Sequence, residues 1–160
     1  MPQSSQRPIE KLISGGQTGA DRAALDWAIA HKIPHGGWCP KGRLSEDGPI
    51  EAKYLLTETP SEAYAERTEW NARDSDGTVT FTTSPSLTGG LLTTFQMASK
   101  HGKPFLQLRK DEIRDHAQAL RNWIREKKIH VLNVAGPRLS EEPAITDFVV
   151  RVLDDALAPE

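Results

Sequence analysis

The residues with the clearest chemical potential form a glycine-rich turn near the amino terminus, Ser14-Gly15-Gly16-Gln17-Thr18-Gly19-Ala20-Asp21. A short apolar run precedes this turn, and residues from about Thr18 to His31 follow it with the spacing of a helix. Glycine lets the backbone approach a ligand closely, and the first N–H groups of a helix point at a negative group. We therefore expect Gly15 to Asp21 to form a cradle for a phosphate-like ligand, with Asp21 orienting donors or a ligand hydroxyl.

Two further glycine turns follow predicted strands, Thr88-Gly89-Gly90 after the strand Gly77 to Thr83 and Asn133-Val134-Ala135-Gly136-Pro137-Arg138 at the end of another strand. Turns that follow parallel strands meet at one edge of a sheet, where ligands bind. We assign two more cradles, one made by Gly89, Gly90 and Thr93, the other by Asn133, Gly136 and Arg138; Thr88 adds a donor. Tight turns also use glycine where no ligand binds. The first turn lacks the endings of a P-loop and of a dinucleotide fingerprint.

Positive charge for such a ligand is expected from a polar helix and from one loop. The helix, from about residue 61 to 73 or 74, carries Arg67, Asn71 and Asp74 near one face, and arginine has a planar fork that suits phosphate. The loop 41–49 adds Lys41 and Arg43; a solvated surface loop explains this stretch equally well. The five histidines are scattered without metal-ligand spacing, so we expect no metal held by side chains.

Predicted strands alternate with helices along nearly the whole chain, which indicates an α/β fold with a mostly parallel sheet and helices on both faces. Tyr54 to Thr57 is a further short strand, and Ile113, Ala117, Leu120 and Ile124 keep the spacing of one helix face. We expect one ligand-binding domain over residues 9–160 and a frayed tail over residues 1–8.

Composition narrows the class of protein. The chain has 160 residues, 37% apolar and 26% charged, with a net charge of −2 and one cysteine. These values favour a globular protein and disfavour a broad nucleic-acid surface. No apolar run is long enough to span a membrane, and a lone cysteine fits a reducing compartment. We therefore expect a cytoplasmic protein that binds neither membrane nor nucleic acid.

Three segments together resemble the family known as putative molybdenum carriers. They are the first turn, the stretch Arg67-Thr68-Glu69-Trp70-Asn71-Ala72-Arg73-Asp74-Ser75-Asp76-Gly77-Thr78, and Leu132-Asn133-Val134-Ala135-Gly136-Pro137-Arg138. The resemblance extends from about residue 11 to 153. It implies a Rossmann-like three-layer sandwich, related to the lonely-guy and lysine-decarboxylase-like superfamily, and a pocket for a molybdenum cofactor (molybdopterin) or a nucleotide.

The enzymatic relatives in that superfamily cleave N-glycosidic bonds with an arginine and a glutamate. Arg67 falls at the arginine position, whereas Gln96 replaces the glutamate and Leu92 replaces a glycine. An amide cannot act as a general base, so the resemblance favours a binding or carrier protein over that hydrolase.

Two alternatives stay open. One is a nucleotide-processing hydrolase with Asp21, Asp74 or Asp76 as its base and Arg67 beside it. The other is a regulatory sensor that binds a nucleotide. A homodimer is a further expectation from relatives of this fold.

Overall fold

A computed structural model describes residues 8–83 and 89–158. The predicted tail, apart from Pro8, and the predicted donor Thr88 lie outside the described residues.

Strands and helices alternate along most of the chain, as the sequence predicts, except that three short strands follow one another between the first and second helices. The strands are β1 (Lys11–Ile13), β2 (His35–Gly36), β3 (Trp38–Cys39), β4 (Thr57–Glu58), β5 (Gly77–Thr82), β6 (Phe105–Arg109) and β7 (Val131–Ala135). The helices are α1 (Ala20–Ala30), α2 (Tyr64–Asp74), α3 (Gly89–Lys100), α4 (His116–Lys127) and α5 (Ile145–Leu157).

Five strands form a sheet in the order β2-β1-β7-β5-β6, and every neighbouring pair is parallel. The strands β3 and β4 form a separate parallel pair. The three strands followed by the glycine turns, β1, β7 and β5, are neighbours at the centre of the main sheet. Because parallel strands end at the same edge, this order brings all three turns together.

Helices cover both faces of the sheet, which confirms the predicted Rossmann-like sandwich. Helix α5 packs against both α1 and α4, and α2 packs against α3. The crossover directions place these two groups on opposite faces, since parallel connections are right-handed. Phe81 of β5 is fully buried and meets Phe148 of α5 edge to face, with ring centroids 5.7 Å apart.

Two local predictions differ from the structure. Ile113 does not join the apolar face of α4, because Asp115 ends the preceding loop and its side chain accepts a hydrogen bond from the Gln118 backbone N at 3.0 Å, which caps the helix. Ile113 is fully exposed. The short strand predicted over residues 54–57 is found at β4, because Thr57 pairs with Trp38 in the two-stranded sheet.

Candidate functional site

A cavity of about 180 Å³ lies where the three turns meet. Helix α2 closes one side of it, and the amino-terminal turn of α3 closes another. Its lining residues are Gly15, Gln17, Asp21, Tyr64, Ala65, Arg67, Thr68, Asn71, Gly90, Leu91, Thr93, Thr94, Asn133, Val134, Ala135, Gly136, Pro137, Arg138 and Glu141. Ten of the residues assigned from sequence are therefore on its wall: Gly15, Gln17, Asp21, Arg67, Asn71, Gly90, Thr93, Asn133, Gly136 and Arg138.

The backbone N–H groups of the first turn point at acceptors within the chain. Gly16 N donates to the Ser14 hydroxyl at 3.4 Å, and Thr18 N donates to the Gln17 side chain at 3.0 Å. Ala20 N donates to the Pro137 carbonyl at 3.2 Å. The backbone N–H groups at the start of α1 thus have the arrangement that binds anions elsewhere, but the acceptors for these three N–H groups come from the protein itself.

Asp21 provides the negative group at this turn. Its Oδ2 atom accepts a hydrogen bond from Gln17 N at 3.4 Å and lies 3.3 Å from Nη1 of Arg67. Burial raises the pKa of the Asp21 carboxyl to about 6, and the nearby charges of Arg67 and Arg22 only partly oppose that rise. The cavity wall therefore carries a carboxyl group that titrates close to neutral pH.

Arg67 reaches the cavity from α2 and lies directly over Gly15. A Cβ at position 15 would lie 2.0 Å from Nη1 of Arg67, so only glycine leaves room for the guanidinium. The Arg67 side chain is 12% exposed, and its Nε atom has no hydrogen-bond partner within the described residues. The sequence-based expectation of a cationic residue beside the first turn matches this position.

Gln17 is held in one orientation. Its Oε1 atom accepts hydrogen bonds from Thr18 N at 3.0 Å and from Glu46 N at 2.8 Å. Its Nε2 atom is buried and has no partner in the part of the chain that the structure describes. Gln17 thus presents an unused donor at the cavity wall.

Glycines at two other turn positions join the turns to one another. A Cβ at Gly19 would lie 2.5 Å from the Pro137 carbonyl oxygen, and a Cβ at Gly136 would lie 2.6 Å from the Ala20 Cβ. Gly16 adopts φ 81° and packs under the side chains of Leu56 and Ile50. We therefore attribute Gly16, Gly19 and Ala20 to packing of the turns.

The third turn contributes positive charge to the cavity wall. The Arg138 guanidinium is half exposed, lies 3.8 Å from Glu141 and sits 5.9 Å from the ring centre of Tyr64. The Arg67 guanidinium lies 5.1 Å from the same ring. Two cationic groups therefore flank one aromatic ring on the cavity wall. Asn133 is buried and donates to the Thr78 hydroxyl at 3.0 Å.

Several residues expected at the site make other contacts. Arg43 donates to four backbone carbonyls, those of Ile50, Glu51, Tyr54 and Leu56, so it joins the loop 41–49 to the segment 50–56. Lys41 is exposed and away from the cavity. Asp74 accepts a hydrogen bond from Trp38 Nε1 at 2.7 Å and pairs with Arg73 outside the cavity.

Two amide side chains bear on the predicted function, and only one of them lines the cavity. Asn71 lines the cavity, but both polar atoms of its amide bind the Trp38 backbone, at 2.8 and 3.0 Å. Gln96 is exposed on α3 and does not line the cavity. Thr18 donates its hydroxyl hydrogen bond to Glu46, which lies in the loop 41–49.

Sequence reasoning missed Tyr64, Glu46 and Glu141. Glu46 also accepts hydrogen bonds from Ser140, at 3.2 Å from the backbone N and 2.5 Å from the hydroxyl, and thereby fastens the loop 41–49 to the first and third turns. No spacing in the sequence marks this contact, since Glu46 and Ser140 are 94 residues apart. Tyr64 had a weaker signal, because it lies one helical turn before Arg67.

Two other features are absent from the described ranges. No helix there is long and apolar enough to cross a membrane. The same residues contain no group of three or more His, Cys, Asp or Glu side chains that could hold a metal ion.

The comparisons with known proteins agree with the α/β fold. The chain is similar to a crystal structure from Syntrophus aciditrophicus SB of a protein named putative molybdenum carrier protein, with 45% sequence identity and a TM-score of 0.91. The similarity covers 95% of this chain and 97% of that chain. No curated protein matches. The profile of the circularly permutated YpsA SLOG family matches residues 12–157, and the chain therefore belongs to that family.

Proposed function

We propose that the chain is a cytoplasmic binding or carrier protein for a small phosphate-bearing ligand, held in the cavity at the carboxyl edge of the sheet. The observation that carries this proposal is the cavity wall itself, which combines Arg67, Arg138 and the buried, unpartnered amide nitrogen of Gln17. A buried donor without an acceptor is unfavourable, and an anionic ligand oxygen would relieve that cost. The neighbouring glycine at position 15 leaves the guanidinium room to lie against the wall.

The ligand class that fits these donors is a phosphate ester, as in a nucleotide or a molybdopterin. The name of the similar protein from Syntrophus aciditrophicus SB favours a molybdenum-containing cargo. The residues of the cavity supply arginine and amide donors, which suit phosphate oxygens. We therefore expect this chain to hold such a cargo through its phosphate group.

Mass spectrometry of the small molecules that co-purify with the protein tests the proposal directly. We expect a phosphate-bearing compound released on denaturation, and calorimetric binding of AMP or of that compound. Protein that carries no such compound and binds no phosphate ester would contradict the proposal.

The variant Gly15→Ala sharpens this test. Its Cβ displaces the flexible end of Arg67, so we expect at least tenfold weaker binding with a native circular dichroism spectrum. Gly36→Ala is the matched control, because its Cβ comes closest to the flexible end of the Lys11 side chain, at 3.0 Å, and Gly36 does not line the cavity. Equal affinity in Gly15→Ala and Gly36→Ala would remove Arg67 from the proposed site.

A nucleotide-processing hydrolase is the second candidate, and Asp21 is the observation that favours it. A buried carboxyl with a pKa of about 6 beside an arginine can exchange a proton near neutral pH. Of the other two carboxylates considered as bases, Asp76 accepts hydrogen bonds from His130 N and Val131 N, at 2.9 and 2.8 Å, and Asp74 lies outside the cavity.

Release of free base from nucleoside monophosphates tests the second candidate. Turnover that is lost in Asp21→Asn and exceeds the background of heat-denatured protein would support hydrolysis. Absence of turnover across the common nucleotides, with binding retained, would leave the carrier function alone.

A further inference from the structure

The carboxylate of Asp21 occupies the position in which an anion is expected at the first turn. It lies 3.3 Å from Nη1 of Arg67 and 3.4 Å from Gln17 N, and Asp21 is 5% exposed. Both contacts are long for charge-assisted hydrogen bonds. The chain thus provides its own, loosely held anion for the cradle.

Two residues that contact this carboxylate each carry a buried donor with no acceptor in the described residues, Gln17 Nε2 and Arg67 Nε. The Gln17 amide cannot be flipped to satisfy its nitrogen, because its Oε1 already accepts two backbone N–H groups. Gln17 is 5% exposed and lines the cavity. A ligand oxygen at this point would satisfy the Gln17 nitrogen.

The charged groups around Asp21 make the binding of a negatively charged oxygen at this point unfavourable unless another charge changes. The charged groups that face Asp21 are Arg67 from α2 and Arg22 from α1, and Arg22 is already paired with Asp47 at 2.8 Å. A second anion beside the Arg67–Asp21 pair would place two negative groups against the Arg67 charge, because Arg138, the other cation of the cavity wall, is 40% exposed and lies 3.8 Å from Glu141. Burial makes such an excess of charge costly.

We propose that Gln17 Nε2 and Arg67 Nε form a subsite for one oxyanion group, and that this oxyanion binds together with a proton taken up by Asp21. The inference rests on the proposed function, since it assigns the anionic end of the ligand. Protonation turns the Asp21 carboxyl into a neutral group and frees the Arg67 charge for the ligand. The pKa of about 6 for this carboxyl supports the inference, because little energy is then needed to protonate it near neutral pH.

Calorimetry with sulfate tests the coupling, because sulfate keeps its charge between pH 5 and 8 whereas a phosphate ester titrates there. Titrations at pH 7.5 in two buffers of different ionisation enthalpy measure proton uptake. We expect uptake of about one proton per sulfate, and affinity that falls about tenfold per pH unit above pH 6.5. Asp21→Asn should bind sulfate with no proton uptake and with constant affinity, whereas Asp155→Asn, on exposed α5 surface, should behave as the wild type.

Each other result has a defined meaning. Wild-type binding of sulfate without proton uptake would overturn the coupling and leave the proposed function standing. A folded Asp21→Asn variant that binds no anion would also overturn it, because the carboxylate would then be a ligand. Failure of the wild type to bind sulfate, phosphate or AMP at any pH would overturn the proposed function and the inference with it.

Gln17→Ala tests the subsite separately from the proton uptake. The proton uptake is measured on the wild type, so that part of the test stands even if a variant does not fold. We expect about tenfold weaker sulfate binding in this variant, with the uptake of about one proton retained. Unchanged affinity would remove Gln17 from the subsite.

Discussion

At the scale of single residues, Asp21 couples the ligand cavity to the stability of the protein. An exposed aspartate titrates near pH 4, whereas burial raises the pKa of Asp21 to about 6 in the folded state. Between these two values the folded state holds more protons than the unfolded state, so this residue makes the protein less stable as pH rises. The same burial that prepares Asp21 for ligand chemistry therefore costs stability at neutral pH.

We expect this cost to appear as a pH-dependent difference in the free energy of unfolding between the wild type and Asp21→Asn. At about 1.4 kcal/mol per pKa unit, and because an unfolded aspartate is already partly ionised at pH 4, the free energy of unfolding of the wild type should fall relative to the variant by about 2 kcal/mol from pH 4 to pH 7. The fall should stop above pH 7. Urea unfolding at half-unit pH steps measures it, and a constant difference across this range would contradict the buried, raised state of Asp21.

At the scale of elements, the loop 41–49 has a structure of its own built around Arg43. The guanidinium donates to the carbonyls of Ile50 at 2.8 Å, Tyr54 at 2.9 Å and Glu51 at 2.6 Å, and to a fourth at 3.3 Å. Glu46 then joins the loop to the first and third turns. An irregular segment is thus ordered by side chains that satisfy its backbone carbonyls.

Arg43→Ala should therefore destabilise the fold, because it leaves several partly buried carbonyls without a donor. We expect a loss of about 2–4 kcal/mol in the free energy of unfolding. Arg43→Lys should recover little of it, since one ammonium cannot reach the carbonyls that a planar fork serves together. Chemical denaturation measures both variants.

The matched control at this scale is Lys41→Ala, an exposed residue two positions earlier in the same loop. Its effect should stay within about 0.5 kcal/mol. A comparable loss in the Lys41 and Arg43 variants would show that the loop responds to charge alone.

At the scale of the whole molecule, the central strands β1, β7 and β5 hold the site in place because the helical layers bury their side chains. Phe81 is fully buried in β5, the strand that precedes the cradle residues Gly89, Gly90 and Thr93 of α3. Removing its ring opens a cavity that the two layers cannot close.

Phe81→Ala should lower the free energy of unfolding by about 3–5 kcal/mol. Phe95→Ala removes the same group from α3, where the side chain is 47% exposed, and should cost about 1 kcal/mol or less. Thermal and urea unfolding compare the two. Similar losses would contradict the burial assigned to Phe81.

Much of this architecture could be predicted from sequence, because strand and helix periodicity and glycine placement are local signals. The three turns at one sheet edge follow from the alternation of elements alone. Other features depend on side chains that meet only after folding. These features are the orientation of the Gln17 amide, the contact between the Asp21 carboxylate and Arg67, and the hydrogen bonds of Arg43. Ile113 shows where prediction from helical spacing fails. It keeps the spacing of the α4 apolar face, but it precedes the helix cap at Asp115 and is exposed.

The clamp between Asn71 and Trp38 has a practical consequence for following the ligand. Asn71 lies on the cavity wall and holds the Trp38 backbone, while the Trp38 ring meets Trp70 edge to face at 4.8 Å. Two of the four tryptophans of the chain are therefore mechanically connected to the helix that carries Arg67. Intrinsic tryptophan fluorescence offers an unlabelled optical signal for occupancy of the cavity, and Trp38→Phe is the variant that should reduce it.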